Sequence, residues 1–217
     1  MKSQIVIKTL LGREGFTLIE IMLVVVIIGI LAAIAIPNFL SFRMKALNSS
    51  ALSDTKNVAT AQELMHSTNR SYGVSSGPIP VVGTDPIYAG SGGGIGTLVN
   101  SNLAAGGNTL GLTWTNSNLN NVGVVLGLGQ GVSLIASTEI PPGPEISSLA
   151  SYTIVSKHVN GDHYFGKDSD SSSIYTDQVI GSGSTALVLG DAVVSTSAND
   201  DFTPPTIGPS GNNWTVK

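Results

Sequence analysis

The chain has 217 residues, 41% hydrophobic and only 11% charged, with a formal charge of −4 and no cysteine. That composition excludes a disulfide-stapled miniature and a cysteine-ligated zinc or iron–sulfur protein. With no Lys/Arg cluster, it also gives nucleic acid no electrostatic footing. Charge is unevenly spread: residues 71–150 hold only Asp85, Glu139 and Glu145, together with 16 of the 26 glycines.

Residues 21–37 carry no polar side chain, and extension back to Phe16 admits only Thr17 and Glu20. A run of ~17 to 25 such residues is long enough to cross the hydrocarbon core of a bilayer as a helix. Lys2, Lys8 and Arg13 precede it with one acid, Glu14. The positive-inside rule therefore keeps the N-terminus cytoplasmic and exports everything after about Phe42. An ordinary secretory signal has an apolar region of only ~7 to 15 residues and a small-residue cleavage site. This run is longer and continues into polar helical sequence.

Glu20 stands one turn inside the start of the apolar run. An ionised carboxylate in a bilayer costs several kcal/mol unless it is partnered, which makes it functional by default. Thr17 with Glu20 three positions on also reads as a capping box, a purely structural role compatible with the first. If the peptide bond after Gly15 is cut, Phe16 gains a free α-amine about one turn from that carboxylate. The residues then permit an amine–carboxylate pair between neighbouring chains.

The string GREGFTLIEIMLVVVIIGILAAIAIPNF, from Gly12 to Phe39, closely resembles the N-terminus of type IV pilin precursors. The resemblance implies a basic leader, residues 1–15, removed after Gly15 by a membrane-embedded prepilin peptidase. It implies N-methylation of the new N-terminal Phe16 and pairing of Glu20 with a neighbour's N-terminus. Gly29 and Pro37 fall where family members usually carry glycine and proline, and are assembly residues by the same analogy. The match runs densely from Gly12 to roughly Met65.

Beyond Pro37 the sequence continues as an amphipathic helix. Phe39, Phe42, Met44, Leu47, Leu52, Val58, Ala59, Ala61, Leu64 and Met65 recur at three- and four-residue steps among Arg43, Lys45, Asp54, Lys56, Gln62 and Glu63. The helix, residues 16–70, should end before Tyr72-Gly73. From Gly73 glycine, proline, asparagine and serine surround short β-branched runs, the grammar of a loop-rich β-domain over 71–217. Expected strands are 110–115, 122–128, 132–137, 152–159, 162–165, 172–176, 186–189 and 192–196, with 79–108 and 200–217 as loops. Asn160-Gly161 reads as a two-residue type I′ hairpin turn, which needs φ > 0 at both positions.

His66, His158 and His163 are the chain's histidines, and the last two flank that hairpin turn as surface residues rather than a metal or acid–base site. Asp168 and Asp170, followed by Ser172, begin an oxygen-rich calcium loop. The sixth and twelfth positions are Ser173 and Val179 instead of glycine and acid, so a polar turn is the simpler reading and a calcium site at Asp168 and Asp170 the alternative. Residues 92–96 hold three consecutive glycines without the lysine of a phosphate loop. The sequon-like Asn48-Ser49-Ser50, Asn69-Arg70-Ser71 and Asn213-Trp214-Thr215 are assigned no role.

The segment TIVSKHVNGDHYFGKDSDSSSIY also resembles the globular partner of the two-chain pilins of metal-reducing bacteria, here fused to its helix. Many pilins close the end of this domain with a disulfide. With no cysteine, packing and hairpins must hold the final loop. The expected fold is α+β: a long N-terminal helical stalk with a C-terminal antiparallel β-rich domain.

The family implies a structural subunit, a major pilin. It is inserted in the inner membrane as a prepilin, processed by the peptidase/N-methyltransferase and polymerised with other pilin subunits by the assembly machinery into an extracellular pilus. No cofactor and no active site are needed. The alternatives are a minor pilin or type II secretion pseudopilin, and a single-span membrane-anchored adhesin. A fibre conducting through Phe16, Phe39, Phe42 and Tyr72 is a further reading; motility, adhesion and secretion are all compatible roles.

Overall fold

The fold is that of a computed structural model describing residues 15–76, 99–100, 109–115, 121–139, 150–196 and 200–217. The leader charges Lys2, Lys8, Arg13 and Glu14, the glycine run 92–96 and most of the expected 79–108 loop lie outside the described residues.

Helix α1 runs Leu18–Asn69, 52 residues with Pro37 inside it. Thr17 caps its start, the hydroxyl accepting the Glu20 amide at 3.3 Å. Arg70 ends it with a left-handed φ of 56° and an amide that returns to the His66 carbonyl at 2.7 Å, a stop that glycine usually supplies. By packing, the chain divides at a point within this helix, into units Met1–Phe42 and Arg43–Lys217. The packing boundary therefore falls 28 residues before the helix-to-sheet boundary expected at 70/71, and the amphipathic half of α1 belongs with the sheets.

Among the described residues of the first unit, Ile19, Leu23, Ile27, Ile30, Ile34 and Phe39 are all exposed, and the most apolar window of α1 has mean hydropathy 3.1. Length and composition suit a membrane span.

In the second unit β1 (Val74–Ser76), β3 (Thr109–Thr115) and β4 (Asn121–Gly127) form one antiparallel sheet in the order β1-β3-β4. The other sheet takes the order β2-β5-β6-β7-β8-β9. Its strands are β2 (Val99–Asn100), β5 (Val132–Thr138), β6 (Tyr152–His158), β7 (His163–Asp168), β8 (Ile174–Gln178) and β9 (Thr215–Val216), all antiparallel. Both faces of this sheet are covered, so β5 and β6 are buried at every position. Successive side chains alternate faces: Leu134, Ala136 and Ile154 pack with Val58, Ala61 and Met65 of α1, while Ile135 and Val155 pack with Leu187, Phe202 and Trp214 of the C-terminal loops.

Two expected strands do not form. Residues 186–189 and 192–196 are irregular apart from a 3₁₀ turn at Leu189–Asp191. Leu187 is buried and Val193 packs against the core, the Val193 carbonyl accepting the Thr153 hydroxyl at 2.5 Å, so their apolar character serves loop packing on a sheet face. Part of the expected 200–217 loop is instead β9, which pairs with β8.

The β6–β7 hairpin forms, but not through a type I′ turn. The Gly161 amide bonds the His158 carbonyl at 2.8 Å, which centres the turn on Val159-Asn160, and neither Asn160 nor Gly161 has positive φ. Gly161 is needed for close approach instead: a Cβ there would collide with the Asn48 side-chain oxygen of α1. Asn48 clips helix to hairpin. Its Nδ2 donates to Asp162 Oδ1 at 2.6 Å and its Oδ1 accepts the amides of Asp162 at 3.1 Å and His163 at 3.4 Å. Burial alone would raise the Asp162 pKa, but hydrogen bonds from Asn48, Gln178 and His163 outweigh it and hold the carboxyl at about 2.

Asn48→Ala should therefore destabilise the folded chain by about 1–3 kcal/mol, the cost of leaving part-buried polar groups unbonded. Calorimetry at neutral pH should read a Tm roughly 2–10 °C lower. Because the Asp162 pKa is depressed in the folded state, its contribution is present above about pH 4 and lost as pH falls toward 2. The gap between wild type and variant should narrow over that window. A gap that stays constant to pH 2 would show that the clip does not act through Asp162.

Candidate assembly site

The N-terminal candidates sit together on the first turns of α1 because Thr17 fixes where the helix begins. Phe16 is 78% exposed just before it and Glu20 occupies its first turn. Only half of the capping box is made: Thr17 Oγ1 takes the Glu20 amide, and among the described residues nothing bonds to the Glu20 carboxylate. A negative charge in the first turn suits the positive end of the helix dipole, yet leaves its hydrogen-bonding capacity free for an outside donor.

Gly29 and Pro37 carry no packing role inside their own unit. A methyl at Gly29, as at Gly15, would meet nothing within 4 Å. Pro37 lacks the amide that the Ala33 carbonyl would otherwise receive, yet α1 continues through it. One residue on, Asn38 Nδ2 donates to the Ile34 carbonyl at 3.0 Å and supplements the ladder locally.

The remaining candidates are dispersed. His66 stacks on Tyr72 at 4.5 Å. His163 contacts Asp162, whereas His158 is buried against Gln130. The expectation that His158 is a surface residue is thus overturned, because the 129–131 loop folds over it. Asp168 is fully buried. Burial pushes its pKa up to about 6, while it accepts the amides of Asp201 at 2.7 Å and Asp170 at 3.3 Å. Beside it the Lys167 ammonium donates to the carbonyls of Asp168 and Ser171, so this turn closes around a side-chain cation. Asp170 is exposed, and among the described residues no group of three or more His, Asp or Glu could hold a metal ion.

Sequence reasoning missed two residues that organise the β-domain. Lys157 is completely buried and its ammonium donates to the carbonyls of His158, Ser182 and Thr185, at 3.2, 3.1 and 2.5 Å, tying the 182–185 loop to β6. Asn48 drew notice only as part of a glycosylation-like triplet. A usable signal for it was spacing: Asn48, Ala51, Thr55, Val58, Gln62 and Met65 recur at alternating three and four residues and are all buried.

Compared with known proteins, residues 11–36 match the family described as the prokaryotic N-terminal methylation motif. The chain is 53% identical over 60 residues, 28% of its length, to the type IV major pilin protein PilA of Myxococcus xanthus, of which this covers 27%. It is 51% identical over 51 residues, 24% of its length, to the type IV major fimbrial protein FimA of Dichelobacter nodosus, covering 33% of that protein. It is 38% identical over 60 residues, 28% of its length, to the type II secretion system core protein G of Pectobacterium carotovorum, covering 38%. The chain thus spans about a quarter to two fifths of the length of these relatives. No solved structure matches it.

Proposed function

We propose that this chain, a type IV pilin precursor by its N-terminal segment, is the structural subunit of an extracellular type IV pilus, a major pilin. The observation that carries the reading is the combination of a methylation motif over residues 11–36 with an apolar helix exposed along its first half, whose Glu20 carboxylate has no bonding partner among the described residues. A lone membrane anchor has no use for that carboxylate, whereas helices packed side by side bury the apolar surface and give Glu20 a partner in the next subunit's Phe16 amine. The precursor sits in the inner membrane with its N-terminus cytoplasmic. A prepilin peptidase/N-methyltransferase cuts after Gly15 and methylates Phe16, and the assembly machinery draws the subunit into the fibre. Likeness to both major pilins and a type II secretion core protein keeps a minor pilin or pseudopilin as the second reading.

Mass spectrometry of filaments sheared from the cell surface tests it. The expected chain begins at Phe16 with one extra methyl on its α-amine and has 202 residues. Loss of Lys2, Lys8, Arg13 and Glu14 moves its formal charge from −4 to −6. Replacing Gly15 with leucine should leave full-length precursor in the membrane. An intact Met1 on surface protein refutes processing, and a processed subunit present only in trace amounts in sheared fibres favours the second reading.

A further inference from the structure

His158 ends β6 with its ring inside the fold, only 5% exposed. Both ring nitrogens are engaged. Nδ1 accepts the Asn160 amide at 3.0 Å, and Nε2 lies 3.1 Å from the Gln130 carbonyl. A backbone N–H can only donate and a carbonyl can only accept, so the pair of bonds fixes the neutral tautomer with its proton on Nε2. The ring also rests on Gly131, whose φ of 81° and missing Cβ make room for it, and the Gly131 carbonyl takes the Val159 amide at 2.8 Å. One imidazole therefore joins the β4–β5 loop to the β6–β7 turn, the same turn that Asn48 clips to α1.

We propose that His158 is an acid-operated latch: neutral, it holds the Val159-Asn160 turn closed by accepting the Asn160 amide, and protonated at Nδ1 it releases that amide and opens the turn. Protonation places an N–H against an N–H, while the Gln130 bond survives because Nε2 already donates. The surroundings oppose the second proton. Burial is the main cause that lowers the His158 pKa, the Lys157 ammonium on the adjoining residue adds to it, and the Gln130 carbonyl acts in the other direction. The other titratable groups around the junction are Asp162 and His163 on β7 and its turn, and Asp54 of α1, which takes the Gly129 amide at 2.7 Å. With the folded pKa below the ordinary 6.5, the stabilisation is complete above about pH 6.5 and is lost as pH falls through the folded value. Asp168 works in the opposite sense, since its folded pKa of about 6 lies above its ordinary value and acid strengthens the fold through it. A global melting curve mixes the two, so the readout must be local.

The test is an NMR titration of the mature chain in detergent micelles from pH 8 to pH 5. With 15N-histidine labelling, the three ring systems are assigned through His66→Gln and His163→Gln. The expected result is the Nε2–H tautomer of His158 at pH 8 and a titration midpoint below 6.5. The hydrogen-exchange protection factor of the Asn160 amide should fall by up to about tenfold per pH unit as pH drops from about 6.5 to that midpoint, and level off below it. In His158→Gln, whose carboxamide does not ionise, Asn160 protection should be independent of pH over the same range. Should that variant fail to fold, the wild-type titration decides alone. A Nδ1–H tautomer at pH 8, full protonation of His158 with Asn160 protection unchanged, or the same pH-dependent loss in His158→Gln would each overturn the latch.

Discussion

A strain whose only copy of this chain carries Glu20→Val should insert and process the subunit normally yet make few or no filaments. Insertion should be unimpaired, because removing an ionisable group from an apolar span lowers the cost of placing that span in a bilayer. Assembly should fail because the carboxylate, unbonded among the described residues, is the group proposed to receive the neighbouring Phe16 amine. Removing one partner of a buried charge pair costs about 2–5 kcal/mol, and about 1.4 kcal/mol is tenfold in an equilibrium constant. Filament yield in a shear assay should therefore drop by an order of magnitude or more. Glu20→Gln keeps shape and hydrogen bonding but not charge, and should fall with the valine variant if the pair is ionic. Normal fibres from either strain would return Glu20 to a role in the first turn of α1, where only its amide is used by Thr17.

The parts of the fold legible in the sequence are those where one physical demand dominates. An uninterrupted apolar run that continues into amphipathic sequence reads as one helix, so the helix expected over 16–70 is found at Leu18–Asn69, with the cap at Thr17. The strands β3 to β7 were visible because β-branched runs lie between glycine-rich breaks, and the hairpin because Asn160-Gly161 interrupts one of them. Its turn type was not visible, since Gly161 is there to admit Asn48 from a helix more than a hundred residues away. The buried face of α1 was misjudged for a related reason. Gln62 looked like a solvated residue, but it is fully buried and bonds both the amide and the carbonyl of Gly73 at 2.9 and 2.6 Å. Leu64, counted as apolar face, is 60% exposed. Polar side chains that satisfy a distant backbone are invisible to a hydropathy pattern and show only in their spacing. Lys157 is equally hidden: two of its three carbonyl acceptors, Ser182 and Thr185, belong to the loop it secures, and the third is its own neighbour His158.

That loop, and the chain end beyond it, must be closed without a disulfide, and the closure rests on Phe202. Its ring is fully buried, stacked on Tyr175 of β8 at 5.4 Å and met edge-on by Trp214 at 4.9 Å. Gly166 in the middle of β7 makes the seat: a methyl added there would be forced against the Phe202 ring, with Cδ1 at 2.6 Å and Cζ at 2.8 Å. A strand interior ordinarily gains from replacing glycine with alanine, so the sign of Gly166→Ala separates seat from spacer. Overpacking a filled core costs about 1–3 kcal/mol, which at this chain length lowers Tm by roughly 2–10 °C. Gly190→Ala, where an added methyl meets nothing within 4 Å, is the control and should be neutral. Phe202→Ala should cost more, about 3–5 kcal/mol, and should open residues 200–217 to protease while β6 and β7 remain protected. In the double variant Gly166→Ala with Phe202→Leu, the smaller ring-free side chain gives the methyl room. Its loss should therefore be less than the sum of the two single losses, as expected of residues in contact. If Gly166→Ala melts with Gly190→Ala, the ring does not need that seat, and closure of the chain end must be credited to Lys157 and the β8–β9 pairing instead.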